Sequence, residues 1–106
     1  MKLSTLHNLI LNAQECDKLE TFAIECGGSL PETIPEEEAF PILEKIYNFA
    51  NDYNFSHVRA LSGLSQKRFA LEYNIPVRSI ENWDSEKNKA PNYVLELLFL
   101  NVIEQI

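Results

Sequence analysis

Residues 64–84, LSQKRFALEYNIPVRSIENWD, constrain the fold of this chain more than any other stretch. Ser65 is a good helix N-cap, because its hydroxyl accepts a hydrogen bond from a free N–H of the first turn. Ala70 and Tyr73 follow on one face of the predicted helix, and the small Ala70 suits a close approach of two helices. Asn74 tolerates the left-handed backbone conformation that ends a helix. The stretch therefore predicts a helix that starts at Ser65 and ends at Asn74.

A second helix is predicted directly after this turn. Pro76 suits its first turn, since the missing N–H of proline has no partner to lose there. Ile80 and Trp83 stand three residues apart and face the core, which leaves Arg78 and Asn82 on the outside. Arginine and asparagine on an exposed helix are suited to hydrogen bonding with base edges in the major groove of DNA.

The segment from about residue 56 to residue 106 resembles the DNA-binding domain of the phage-repressor family, of the Xre or lambda-repressor-like type. The family usually has glycine at the turn between the two helices and often soon after the second helix, where this chain has Asn74 and SEKNKAP. The resemblance implies an all-α fold with a lambda-repressor-like helix-turn-helix, whose second helix enters the major groove. The residues that carry the resemblance agree in register: Gly63, Gln66, Ala70, Asn74, Ile80 and Trp83.

The resemblance also implies roles for individual residues. Gln66 resembles the glutamine that anchors to a phosphate and supports a base contact, and Arg59 and Asp84 occupy the positions of an ion pair that is often buried. Three residues fall where family members touch bases: Val77, Arg78 and Asn82. Three lie in the loop that usually meets the phosphate backbone: Lys87, Asn88 and Lys89. Ser65 and Ser79 complete the predicted DNA-binding set.

Each of these residues also has a plainer interpretation. Arg78 and Glu81 fit an ordinary surface pair on a helix, and Trp83 fits a core residue better than a platform for base stacking. Lys87 and Lys89 fit an ordinary polar loop. A helix-turn-helix that serves only for packing is therefore an alternative to DNA binding, since a motif match is a hypothesis.

The net charge of −7 would oppose DNA binding unless the acidic excess lies outside the DNA-binding part of the chain. Residues 1–56 hold three basic and ten acidic residues, whereas residues 57–106 hold six of each. Residues 59–89 hold six basic and four acidic residues, which gives a local charge of +2. We therefore expect modest non-specific affinity for DNA and a small number of phosphate contacts.

The N-terminal half is predicted to be helical, and we expect an acidic helical extension over residues 1–55. Asp17 and Glu20 are spaced as a capping box, Pro41 is expected to open a third helix, and Ser56 is expected to cap the next. The three carboxylates of residues 36–38 fit the first turn of a helix, where the dipole favours negative charge. A cation site and competition with DNA are the alternatives for this triplet.

The last helix, from about Pro91 to Ile106, carries two apolar stripes where a surface helix needs one. The first stripe consists of Leu95, Leu98, Phe99, Val102 and Ile106. The second consists of Tyr93, Leu97 and Leu100. We expect the second stripe to bury against the N-terminal helices or against a second copy of the chain.

Several classes of protein are disfavoured by the sequence. Cys16 and Cys26 stand ten residues apart without a CxxC pattern or paired histidines, so we expect no metal site and no cofactor. They fit reduced thiols of a cytoplasmic protein. No nucleophile–base pattern or glycine-rich phosphate loop indicates an enzyme. The first residues are too polar for a membrane span, so we expect no membrane partner.

These observations predict a small transcriptional regulator of the repressor type that binds a double-stranded DNA operator as a homodimer. Residues 56–106 are expected to form its DNA-binding domain. One alternative is the antitoxin of a toxin–antitoxin pair, whose N-terminal helices bind the toxin protein. The other is a protein-interaction module with a vestigial helix-turn-helix.

Overall fold

The computed structural model describes residues 1–105, and every regular element in that range is helical. The chain divides into two compact units, Met1–Tyr53 and the residues from Asn54 onward. The prediction of an all-α protein is thereby confirmed. The α-helices are α1 (Leu3–Glu15), α2 (Leu19–Cys26), α3 (Glu36–Ala50), α4 (Phe55–Ser62), α5 (Gln66–Tyr73), α6 (Val77–Asp84) and α7 (Asn92–Glu104), with a short 3-10 turn at Gly27–Ser29.

The first unit is built from α1, α2 and α3, with α3 packed against both of the others. Its side chains of near-zero exposure include Leu6, Ile10, Phe22 and Ile46. Two long-range hydrogen bonds reinforce this packing: Gln14 Nε2 donates to the carbonyl of Ala50 at 3.0 Å, and the Tyr47 hydroxyl donates to the carbonyl of Cys16 at 3.0 Å.

Two local predictions in the first unit are wrong. Helix α2 follows Lys18 without any side-chain cap, so Asp17 and Glu20 form no capping box. Helix α3 begins at Glu36, and Pro41 lies inside it. All three carboxylates of residues 36–38 stand in the first turn of α3, where they interact favourably with the helix dipole. A helix with this start tolerates Pro41 near its N-terminal end, where one backbone hydrogen bond is forfeited.

The second unit surrounds an aromatic cluster contributed by three of its helices. The ring of Phe55 in α4 meets the ring of Phe69 in α5 edge-on at 5.4 Å and that of Trp83 in α6 at 5.2 Å. Such edge-to-face pairs contribute about 0.5–1.5 kcal/mol each beyond the burial of area. Ile80 of α6 and Phe99 of α7 are both fully buried. The predicted inward positions of Ile80 and Trp83 are therefore correct.

Helix α4 is capped by Asn54, whose side chain accepts from the backbone N–H of His57 at 3.3 Å. The prediction that Ser56 caps this helix is wrong, because Ser56 lies one residue inside it and its hydroxyl donates to Asp84 at 2.9 Å. Gly63 ends α4 with a left-handed φ of 71°, a conformation that glycine adopts without steric cost.

Helix α7 buries the first apolar stripe and leaves much of the second uncovered. Leu95, Leu98, Phe99 and Val102 are all buried. Tyr93 and Leu97 retain exposures of 66% and 47%, while Leu100 is half-buried. Ile106, predicted for the first stripe, lies outside the described residues.

Candidate nucleic-acid interface

Helices α5 and α6 are joined by a tight turn whose conformation follows from its residues. Ser65 caps α5, its hydroxyl accepting from the backbone N–H of Arg68 at 3.2 Å. Asn74 adopts the left-handed conformation with φ 52°, and the N–H of Ile75 donates back to the carbonyl of Ala70 at 3.0 Å. These are the features of a Schellman helix end. Pro76 then stands at the N-cap of α6.

The α6 helix is held from its inner side and presents a polar outer side. Ile80 is buried, and Trp83 is half-buried against Phe55. Among the residues implied to touch DNA, Val77 and Arg78 are exposed. Ser79, Asn82 and the α5 residue Gln66 are half-buried.

The loop after α6 exposes three residues of the predicted set, Lys87, Asn88 and Lys89. Glu86 takes a left-handed φ of 64° at the start of this loop, where no glycine is available. The backbone N–H of Asn88 donates to the carbonyl of Asn82 at 3.3 Å, which ties the loop back to α6. Ala90 is buried and anchors the far end of the loop.

Asp84 is the centre of a side-chain network that joins three helices. Arg59 Nε of α4 lies 2.9 Å from Asp84 Oδ2, and the two side chains are 26% and 11% exposed. Gln66 Nε2 of α5 donates to the same oxygen at 2.8 Å, and the Ser56 hydroxyl donates to Oδ1 at 2.9 Å. The Arg59 guanidinium also donates to the carbonyl of Leu64 at 3.0 Å. The carboxylate thus fixes the start of α5 to the end of α6.

The network assigns Gln66 a role that the sequence did not indicate. The resemblance implied a phosphate anchor at this position, but one amide hydrogen of Gln66 is committed to Asp84. The side chain retains a second amide hydrogen and its carbonyl oxygen for other partners. The pair of Arg59 and Asp84 was implied by the resemblance, whereas Ser56 and Gln66 were not expected as its further members.

The first turn of α5 carries two cations outside the predicted set. Lys67 and Arg68 are exposed in the first turn of α5, directly after Ser65 and Gln66. Their position at the start of the helix was the available signal, because helix N-termini favour anions. The exposed cations of α5, α6 and the following loop are Lys67, Arg68, Arg78, Lys87 and Lys89.

The cysteines lie in the first unit and form no disulfide. Cys16 Sγ donates to Glu25 Oε2 at 3.6 Å, and desolvation together with this carboxylate raises the pKa of the Cys16 thiol. Burial and then the Glu25 charge raise the pKa of the Cys26 thiol. Residues 1–105 contain no cluster of histidine, cysteine and carboxylate side chains arranged to hold a metal ion.

In the described part of the chain, no helix has the length and apolar character that crossing a membrane requires. Comparisons with protein-family models, with curated proteins and with solved structures found no match to this chain.

Proposed function

We propose that this protein binds a double-stranded DNA operator through a lambda-repressor-like helix-turn-helix formed by α5 and α6, and acts as a repressor-like transcriptional regulator. The observation that carries the proposal is the outer side of α6. Arg78 is exposed there, while Ile80 and Trp83 hold the opposite side in the aromatic core. A helix supported in this way presents its side chains to the major groove in a fixed orientation.

The distribution of charge supports the same proposal. All ten acidic residues of the first unit are exposed, and so are the five cations of α5, α6 and the following loop. Because the acidic excess lies in the first unit, the second unit approaches phosphates with no net repulsion of its own. Few phosphate contacts are expected, so affinity is expected to fall only moderately with salt.

Selection of bound sequences from random double-stranded DNA tests the proposal. The wild-type chain is expected to enrich one short sequence, and Arg78→Ala/Asn82→Ala is expected to lose that enrichment while retaining weak, salt-sensitive binding. Both substitutions spare Ile80 and Trp83, so the thermal unfolding of the variant serves as its folding control. A wild-type chain that enriches no sequence would favour a helix-turn-helix used only for packing.

A second candidate function is favoured by the surface of the first unit. Four large apolar side chains are exposed there: Leu3, Leu11, Ile24 and Phe40. Ile24 is 84% exposed and lies on α2 between Glu20 and Glu25, which are also exposed. An exposed apolar side chain on a helix with exposed carboxylates suits a basic protein partner, as in the antitoxin alternative. Titration with the purified product of the adjacent gene tests this candidate, and no binding by the wild type would remove it.

A further inference from the structure

Val77 is the apolar residue on the otherwise polar outer side of α6. It is the first residue of the helix, and its side chain is 41% exposed. Pro76 before it is also exposed, and the first turn of α6 carries no acidic residue. If α6 enters the major groove, Val77 is therefore among the first side chains to meet the base edges.

The chemistry of the base edges limits what Val77 can recognise there. The major-groove edges present hydrogen-bond donors and acceptors, and the one apolar group among them is the 5-methyl group of thymine. Valine has no hydrogen-bonding atom, so covering a donor or acceptor would desolvate that group without replacing its water. Contact with a methyl group carries no such penalty and removes apolar surface from water.

The conformation of valine also suits this contact. Its branched side chain has one strongly preferred rotamer in a helix, so little freedom is lost when it is immobilised against a base. We infer that Val77 reads the 5-methyl group of a thymine, and that the operator holds an A·T pair at a fixed position beneath the first turn of α6. This inference rests on the proposed function.

A neighbouring leucine provides a matched control. Leu71 of α5 is 78% exposed and lines the same shallow apolar groove as Val77, together with Ile75 and Pro76. Leu71 stands in the second half of α5, one helical turn after Lys67, which also lines this groove. A groove that served a protein partner would need both side chains, whereas reading of a thymine methyl needs Val77 alone.

The experiment uses the full chain and the sequence enriched from random DNA. Each thymine of that sequence is replaced singly by deoxyuridine, which removes the methyl group and keeps every hydrogen-bonding atom. For the wild type, one position or a symmetry-related pair is expected to lose about fourfold in affinity, the equivalent of about 0.8 kcal/mol for one buried methyl group. Val77→Ala is expected to bind both DNAs alike, and Leu71→Ala is expected to keep the fourfold difference.

The outcomes separate this inference from the proposed function. Enrichment of a sequence in which no thymine responds to loss of its methyl group would overturn the inference and leave the proposed function standing. An unchanged fourfold difference in Val77→Ala, whose fold is checked by thermal unfolding, would likewise assign the methyl contact to another residue. Loss of the difference in Leu71→Ala would overturn the assignment to Val77 alone. No enrichment of any sequence would overturn both proposals.

Discussion

Among single residues, Asp84 makes more interactions in the second unit than a single salt bridge. Its carboxylate accepts from Ser56, Arg59 and Gln66, so removing it strands three donors at once. Exposed ion pairs contribute about 0–1 kcal/mol, whereas breaking a buried pair is destabilising by about 3–5 kcal/mol. Arg59 is 26% exposed, which places this network between the two cases.

We therefore expect Asp84→Ala to lower the free energy of unfolding by about 2–4 kcal/mol, measured by urea denaturation, because it leaves donors without their charged acceptor. Ser56→Ala removes one donor and is expected to lower it by about 1 kcal/mol. The exposed Glu81 of the same helix provides the control, since Glu81→Ala is expected to change stability by less than about 0.5 kcal/mol. Equal effects of Asp84→Ala and Glu81→Ala would contradict the structural role of the network.

Position 63 requires a residue that tolerates a left-handed backbone conformation. Its φ is 71°, and a side chain added there would meet no atom within 4 Å. Gly63→Ala is therefore expected to lower stability through backbone strain alone, by about 1–2 kcal/mol.

Gly28→Ala provides the matched control, because the space at Gly28 is also open and its φ is not left-handed. Thermal unfolding of both variants measures these effects, and Gly28→Ala is expected to be neutral or slightly stabilising. A loss of stability at Gly28 as large as that at Gly63 would mean that a constraint other than φ acts at these glycines.

At the scale of elements, α6 and the loop after it have separable expected roles in DNA binding. Asn82 lies on α6, where the proposed function places contacts with base edges, while Lys87 lies in the exposed loop. We expect Asn82→Ala to weaken binding to the selected sequence by about 1–3 kcal/mol and to relax preference at one base pair. Lys87→Ala is expected to weaken binding to all sequences alike and to reduce the slope of log K against log salt by about one unit.

Fluorescence anisotropy with the selected sequence and with a scrambled one, at several salt concentrations, distinguishes these effects. The reverse pattern, in which Lys87→Ala alters base preference and Asn82→Ala does not, would show that α6 is oriented differently on DNA. Asn82 is half-buried, so its variant needs a parallel measurement of stability.

At the scale of the whole molecule, we expect self-association through the exposed part of the second stripe of α7. Tyr93 and Leu97 stay exposed although Leu95, Leu98 and Phe99 fill the core. One DNA-binding unit with few phosphate contacts is expected to hold a half-site weakly, and a two-fold dimer engages two half-sites about 34–36 Å apart. We therefore expect light scattering at micromolar concentration to give twice the 12.2 kDa mass of the chain.

Leu97→Glu is expected to yield a folded monomer, because two glutamates would face each other across a two-fold seam. The same change at the exposed Leu71 of α5 is the control and is expected to leave the dimer intact. A wild-type chain that remains monomeric, both free and with DNA added, would refute the dimer.

The features that the sequence determined by itself are those set within a few neighbouring residues. Ser65 caps α5, and Gly63 and Asn74 take left-handed conformations, because hydrogen bonds and φ preferences near a helix end depend on local chemistry. The all-α class was implied by the resemblance, together with the helical patterns predicted for the N-terminal half. The inward positions of Ile80 and Trp83 also follow from helical periodicity.

Contacts between distant parts of the chain were decided only by the tertiary structure. Ser56 and Gln66 lie 28 and 18 residues from Asp84, so nothing in their local sequence shows that they converge on one carboxylate. Ser56 therefore donates to Asp84 from inside α4, and Asn54 caps that helix instead. Pro41 stands within α3 because a helix that begins at Glu36 offsets one lost hydrogen bond through the packing of its remaining turns. Local propensity sets where a helix can begin, and burial against other helices decides where it does.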